Sequence, residues 1–281
     1  MRVRSRAFRC LGPAGFHRTH IREWGEADLP VLVAVHGLTR NGLDFEPLAS
    51  RIAAQWRVVA PDVVGRGESD RLPAPTAYDY STYVADMAAV IVSTGADAVD
   101  WLGTSMGGII GMMLASMPGS PIRRLVLNDV GAVVAREGLE RIAGYAGSTA
   151  SWPDFESAYA AIRPNTLPFG PMDDSQRRRF VETGLRRRDD GSYEPNCDPG
   201  IAWALRELPV QDVVLWQIWN TIRCPVLVLR GAESDLLRRE TVEEMRACGP
   251  GCEVHEVPGV GHTPALMDDE TTRVIARFLG G

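Results

Sequence analysis

The sequence predicts an α/β fold: a mostly parallel central sheet with helices on both faces and a helical segment inserted between two strands. Three observations predict it. Short β-branched runs, apolar at successive positions, recur along the chain, as strands buried on both faces do. Helix-like stretches alternate with those runs, which argues for right-handed βαβ units. From about Val133 to Ile222 the alternation stops, and no buried parallel strand is readable.

The expected strands follow in order. Val31–Val35 ends at His36-Gly37, and Arg57–Ala60 ends at Pro61-Asp62. Ala98–Leu102 ends at Gly103, and Leu125–Leu127 ends at Asn128-Asp129. Pro225–Leu229 ends at Arg230-Gly231, and Cys252–Val257 ends at Pro258-Gly259. Between them lie the helical stretches Phe45–Gln55, Tyr80–Ser93, Met106–Met117, Arg238–Ala247 and Glu270–Phe278. The residues up to about Trp24 suit an antiparallel hairpin at one sheet edge. Residues 1–132 and 223–281 therefore form the expected core, and 133–222 the helical insertion. Such an insertion would lie over the carboxyl ends of the strands, where open α/β sheets place ligands. Its aromatic residues Trp152, Phe169 and Trp216 are candidates to line a substrate pocket.

Composition narrows the chemistry. The 281 residues are 45% hydrophobic and 23% charged, with net charge −6, the wrong sign for a general nucleic-acid coating. All 30 basic residues counted as Lys plus Arg are Arg. That excludes a P-loop lysine, a Schiff base and a pyridoxal-phosphate lysine. The five cysteines are scattered, which suits reduced thiols in a cytoplasm and neither a disulfide scaffold nor a metal site. No signal peptide or membrane span is readable. The expected partner is a small-molecule substrate, with no nucleic acid and no membrane; a homodimer is compatible with the sequence.

The chemistry centres on Gly103-Thr104-Ser105-Met106-Gly107. The G-x-S-x-G pattern is weak alone, but here it joins an apolar strand to an apolar helix, the setting of a nucleophile elbow. Small residues on either side let strand and helix approach, and the serine hydroxyl is presented at the top of the sheet. A serine needs a base. His262, in the glycine-rich loop after the last strand, can deliver an imidazole to the same end. The acid that orients it is expected to be Asp235, past the strand Pro225–Leu229; Asp129 and Glu233 compete. Two backbone N–H groups should hold an oxyanion: that of Met106, and that of Leu38, where Gly37 lets the chain bend. His36 would brace this loop, and Asp62, which precedes the glycine-rich turn Val63–Gly67, would cap loop amides. Arg40, beside the loop, is a candidate to hold a substrate carboxylate.

With His36-Gly37, Pro61-Asp62-Val-Val-Gly-Arg-Gly-Glu-Ser69, Gly103-Thr-Ser-Met-Gly107, Leu229-Arg-Gly-Ala-Glu-Ser-Asp235 and Gly261-His262 in place, the chain resembles the α/β-hydrolase superfamily, in its lidded branch of small-molecule hydrolases. The resemblance implies a cofactor-free site with Ser105, His262 and Asp235 as triad, and 133–222 as the cap. Haloalkane dehalogenases and epoxide hydrolases carry Asp where Ser105 stands. Meta-cleavage C–C hydrolases usually carry Trp after the histidine, where Thr263 stands here. The expected activity is hydrolysis of a small carboxylic ester through an acyl-enzyme. C–C hydrolysis, lactone opening and acyl transfer would use the same triad, and a non-catalytic binding protein would use the pocket alone.

Overall fold

The computed structural model describes residues 3–280; the outermost ends of the expected core, residues 1, 2 and 281, lie outside them. The chain opens with a hairpin, β1 (Arg4–Gly12) and β2 (Gly15–Trp24). Then come β3 (Val31–Val35), α1 (Glu46–Ile52), β4 (Arg57–Asp62), α2 (Tyr80–Ser93), β5 (Val99–Thr104), α3 (Met106–Ser116) and β6 (Ile122–Asn128). The inserted segment carries β7 (Val133–Val134), α4 (Arg136–Ala143), α5 (Phe155–Thr166), α6 (Asp174–Thr183), β8 (Leu185–Arg187), β9 (Tyr193–Pro195), α7 (Trp203–Glu207), β10 (Val213–Val214) and α8 (Trp216–Trp219). The chain returns with β11 (Val226–Gly231), α9 (Arg239–Ala247), β12 (Glu253–Val257) and α10 (Asp269–Phe278).

Eight strands form one sheet in the order β1-β2-β4-β3-β5-β6-β11-β12. From β4 to β12 the neighbours are parallel; the hairpin adds antiparallel pairs at the β4 edge. Alternate strand residues separate into two cores, as the two-residue period of a strand requires. Val31, Val33, Trp101, Leu125 and Val228 pack with α2 and α3 on one face. Leu32, Ala34, Leu102, Val126 and Leu227 pack with α1 and α10 on the other. Covering both faces explains why the strands read as continuous apolar runs. Strand β12 is the exception: at the sheet edge, its residues are only partly buried or exposed.

The strand order reverses at β3. The chain steps from β3 to β4 on one side, then crosses to β5 on the other, so β3 and β5 are neighbours with Val35 opposite Gly103. The loops after these strands part at their carboxyl ends and leave the crevice where α/β sheets bind ligands. Residues between β6 and β11 add no strand to this sheet. The insertion's short strands pair only among themselves, β7 with β10 and β8 with β9. Among the described residues no helix is long and apolar enough to cross a membrane.

Candidate active site

Ser105 occupies the tight turn between β5 and α3 with φ 50° and ψ −114°. A non-glycine residue there is strained and is held only by close packing around it. The flanking glycines make that packing. A Cβ on Gly103 would lie 2.3 Å from the Gly107 backbone, and one on Gly107 would lie 2.1 Å from the Val35 carbonyl. Only glycine fits at either position. The Ser105 N–H donates to the Asn128 carbonyl at 3.0 Å, which ties the turn to the end of β6.

The His262 ring lies between two partners. Nε2 is 3.0 Å from Ser105 Oγ, and Nδ1 is 2.6 Å from Asp129 Oδ2. His262 and Asp129 are both buried. The insertion helps to hold the histidine loop: Gly261 N–H donates to the Pro168 carbonyl, and Ala265 N–H to that of Phe169. From the core side, Asn128 Nδ2 donates to Thr104 Oγ1 and to the Pro264 carbonyl.

Asp235, the acid expected from the sequence, is not bonded to His262; Asp129 is. Strand β6 lies between β5 and β11, so Asp129, the residue that follows it, is adjacent to both the serine turn and the β11 loop. Asp129 turns there with φ 56°. Its Oδ1 accepts from Gly231 N–H at 2.8 Å, and its Oδ2 also accepts from Ser234 Oγ at 2.6 Å. The chain beyond Gly231 has moved away by Asp235, whose carboxylate is held by Arg141 of α4 at 2.6 and 2.8 Å. Burial alone would raise the Asp235 carboxyl. The Arg141 hydrogen bonds and charge, with His262 adding, outweigh it and hold the group below the usual carboxylate range. Glu233 makes no bond to the ring either.

The loop after β3 lies against the serine. Arg40 N–H donates to the Gly37 carbonyl at 3.2 Å, closing a turn from 37 to 40. Gly37 makes this turn without positive φ. What it supplies is proximity, since a Cβ there would sit 3.8 Å from the Ser105 Cβ. His36 fixes the loop from beneath: Nδ1–H donates to the Gly37 carbonyl at 2.7 Å, and Nε2 accepts from Val63 N–H at 2.9 Å. Burial pushes the His36 imidazole down to about 4. Asp62 accepts from the Gly42 and Glu68 amides, from Arg22 and from His20. Burial opposes its charge, but the His20 bond and Arg22 outweigh burial and hold it at about 2. The N–H groups of Leu38 and Met106 have no acceptor among the described residues. That of Met106 opens α3, where first-turn amides are free by construction.

Arg40 does not present a free guanidinium for a carboxylate. Its Nε and Nη2 hold Asp44 four residues on, Nη2 also reaches the Phe180 carbonyl at 2.8 Å, and Cζ lies 3.8 Å from the Phe180 ring centroid. The expected pocket aromatics divide. A chamber of about 50 Å³ holds Ser105 and His262 with Phe169 in its wall. A second, of about 200 Å³ under the insertion, is lined by Trp152 and Phe169. The two meet at Arg40, Tyr145, Phe169 and Phe180. Trp216 lines neither; it packs against the main core from α8, because its short helix lies against α3. Sequence reasoning missed Tyr145 and Phe180, which carry no motif and reach the site only through the fold of the insertion.

The Alpha/beta hydrolase family model matches residues 32–277. The chain belongs to this family. It is 41% identical over 281 residues to a 3-hydroxybutyrate-oligomer hydrolase of Cupriavidus necator, covering 97% of this chain and 96% of that protein. Among solved structures, an alpha/beta hydrolase from Novosphingobium aromaticivorans superposes with TM-score 0.88 at 34% identity, covering 99% of this chain and 98% of that one. A putative hydrolase from Rickettsia typhi gives TM-score 0.91 at 30% identity over 99% of both chains. The α/β-hydrolase fold and the hydrolase class expected from the sequence are thereby established.

Proposed function

We propose that this hydrolase cleaves carboxylic esters through an acyl-enzyme on Ser105, with 133–222 as cap over a core of 1–132 and 223–281. The observation that carries the reading is the His262 ring, bonded at once to Ser105 Oγ and Asp129 Oδ2. Ser105 Oγ attacks the ester carbonyl carbon as its proton passes to His262 Nε2. Asp129 holds Nδ1–H, fixes the tautomer and stabilises the imidazolium. The Leu38 and Met106 amides receive the oxyanion. The C–O bond to the leaving alcohol breaks, and His262 returns the proton to that oxygen. Water then attacks the acyl carbon, its proton passing to Nε2, and the acid leaves as Ser105 recovers its proton.

The double cavity supports a substrate class. A chamber of about 50 Å³ at the serine takes a small acyl group, and one of about 200 Å³ beyond the Arg40–Phe180 neck takes a longer extension. An ester of a short hydroxy acid bearing further units fits that division. The name of the Cupriavidus necator relative, an oligomer hydrolase, is consistent with it.

The test is a burst assay with p-nitrophenyl esters of graded acyl length, together with dimers and trimers of a 3-hydroxy acid. A burst followed by turnover, absent in Ser105→Ala, is expected. Full turnover in Ser105→Ala would overturn the mechanism. Turnover of C–C substrates alone would overturn the ester reading and leave the triad standing; turnover of lactones alone would overturn the open-chain oligomer reading.

A further inference from the structure

Arg66 sits between the two glycines Gly65 and Gly67 of the turn after β4, and its side chain is 1% exposed. A guanidinium is charged at any pH a fold survives, and burying it is costly unless a carboxylate is near. Among the described residues Arg66 has no carboxylate within ion-pair distance. Its bonds go to neutral acceptors: Nε to the Leu38 carbonyl at 2.8 Å, Nη1 to the Val64 carbonyl at 2.7 Å and Tyr83 Oη at 3.0 Å, and Nη2 to Met106 Sδ at 3.5 Å. The Tyr83 ring centroid lies 4.9 Å from Cζ. The insertion closes over it, since Arg66 bridges Cys197 and Gly67 N–H donates to the Asn196 carbonyl.

Two of those partners decide the matter. Leu38 and Met106 are on different elements, the loop after β3 and the first turn of α3, and they are the two residues whose N–H groups are assigned to the oxyanion. One guanidinium touches both. We infer that Arg66 is a positioning residue for the oxyanion hole, and that its uncompensated positive charge finds its counter-charge only when the tetrahedral intermediate forms. Resting on the Ser105 reading above, this deepens it. Arg66 gives up no proton and lines neither chamber. It acts by holding Leu38 and Met106 in register and by a fixed charge in a dry site, where such charges act most strongly.

The charge is favourable to the intermediate and indifferent to the neutral ester, so its removal should lower kcat with little change in KM. Arg66→Gln keeps hydrogen-bonding capacity without charge; Arg66→Lys keeps charge without the planar fork. On p-nitrophenyl acetate, Arg66→Gln is expected to lose about 10² in kcat with KM within about twofold, the scale of losing one oxyanion donor. Arg66→Lys is expected to recover roughly tenfold of that loss. Affinity for an alkyl boronate, which mimics the charged intermediate, should fall in step with kcat. Equal losses in both variants, a KM effect in place of a kcat effect, or boronate affinity unmoved while kcat falls would overturn the proposal. Where Arg66→Gln does not fold, Tyr83→Phe removes one acceptor of the guanidinium outside the reacting groups. It should lower kcat a few-fold at constant KM, and unchanged kcat would overturn the role. Ser105→Ala, assayed alongside, separates the two failures. An inert Ser105→Ala beside a fully active Arg66→Gln defeats the Arg66 role alone; an active Ser105→Ala defeats the reading beneath it.

Discussion

Asp129 is hydrogen-bonded to the His262 ring, whereas the Asp235 carboxylate is held by Arg141. Their substitutions should therefore separate. Asp129→Asn leaves the ring without the acceptor that fixes its tautomer, and kcat should fall by about 10³–10⁴. Asp235→Asn breaks a half-exposed ion pair with Arg141 and should stay within about tenfold of wild type. Reversed magnitudes in steady-state kinetics would return the acid to Asp235. The choice was not legible in the sequence, because Ser105, an aspartate and His262 follow in the same order with either residue. What decides it is the neighbourhood of β6, together with the curl of the chain at Asp129, and both are tertiary facts. Ser105 and His262 were legible because each belongs to a local pattern, an elbow and a strand-end loop, that the fold carries to the same edge. A second residue-scale expectation concerns His36. Its folded value of about 4 lies below the unfolded 6.5. The unfolded chain thus takes the proton first as pH falls, so the contribution of neutral His36 is complete above 6.5 and is lost toward 4. Urea midpoints should fall across that window in wild type and less steeply in His36→Gln.

At the scale of elements, the β5–α3 junction has almost no room. Gly103→Ala and Gly107→Ala each press a methyl group into backbone that cannot rotate away. Each should cost more than about 3 kcal/mol by urea unfolding, or abolish soluble protein. Gly37→Ala meets only ordinary contacts and should fold as wild type does. A wild-type midpoint for Gly107→Ala would refute the packing account. The strands of the main sheet were readable because burial on both faces imposes an unbroken apolar run. The insertion's strands were not, since two- and three-residue pairs such as β7 with β10 leave no periodicity to read. Trp216 shows the same limit: an aromatic residue in a lid-like segment faces core or cavity according to a helix packing that its own sequence does not encode.

Across the whole molecule, the insertion is bound to the core at many points. Arg141 holds Asp235, Arg179 holds Glu46, Arg238 holds Asp212 and Glu137, and Tyr78 Oη donates to Asp198. Every cation in these ties is a guanidinium, because the chain has no lysine. An insertion tied by lysines would begin to lose charge near pH 10, whereas arginine keeps its charge beyond pH 12. Burial, aided by Asp198, drives the Tyr78 phenol upward, so the unfolded chain ionises it first and the stability it carries is lost above about pH 10. The first alkaline losses of the fold therefore fall to its thiols, and the next to its phenols. Burial pushes the thiols of Cys10, Cys224 and Cys252 from 9.0 up to about 11. In the unfolded chain they ionise first, and the stability they carry below pH 9 drains away as pH climbs toward 11. Alkaline denaturation should thus start at these thiols while the insertion's ionic fastenings are still intact. Replacing Cys10, Cys224 and Cys252 together by alanine should flatten the urea midpoint between pH 9 and 11; an unchanged slope would place the weak point elsewhere. In alkali, this is a protein whose endurance is governed by its weak acids, thiol and then phenol, and not by its bases.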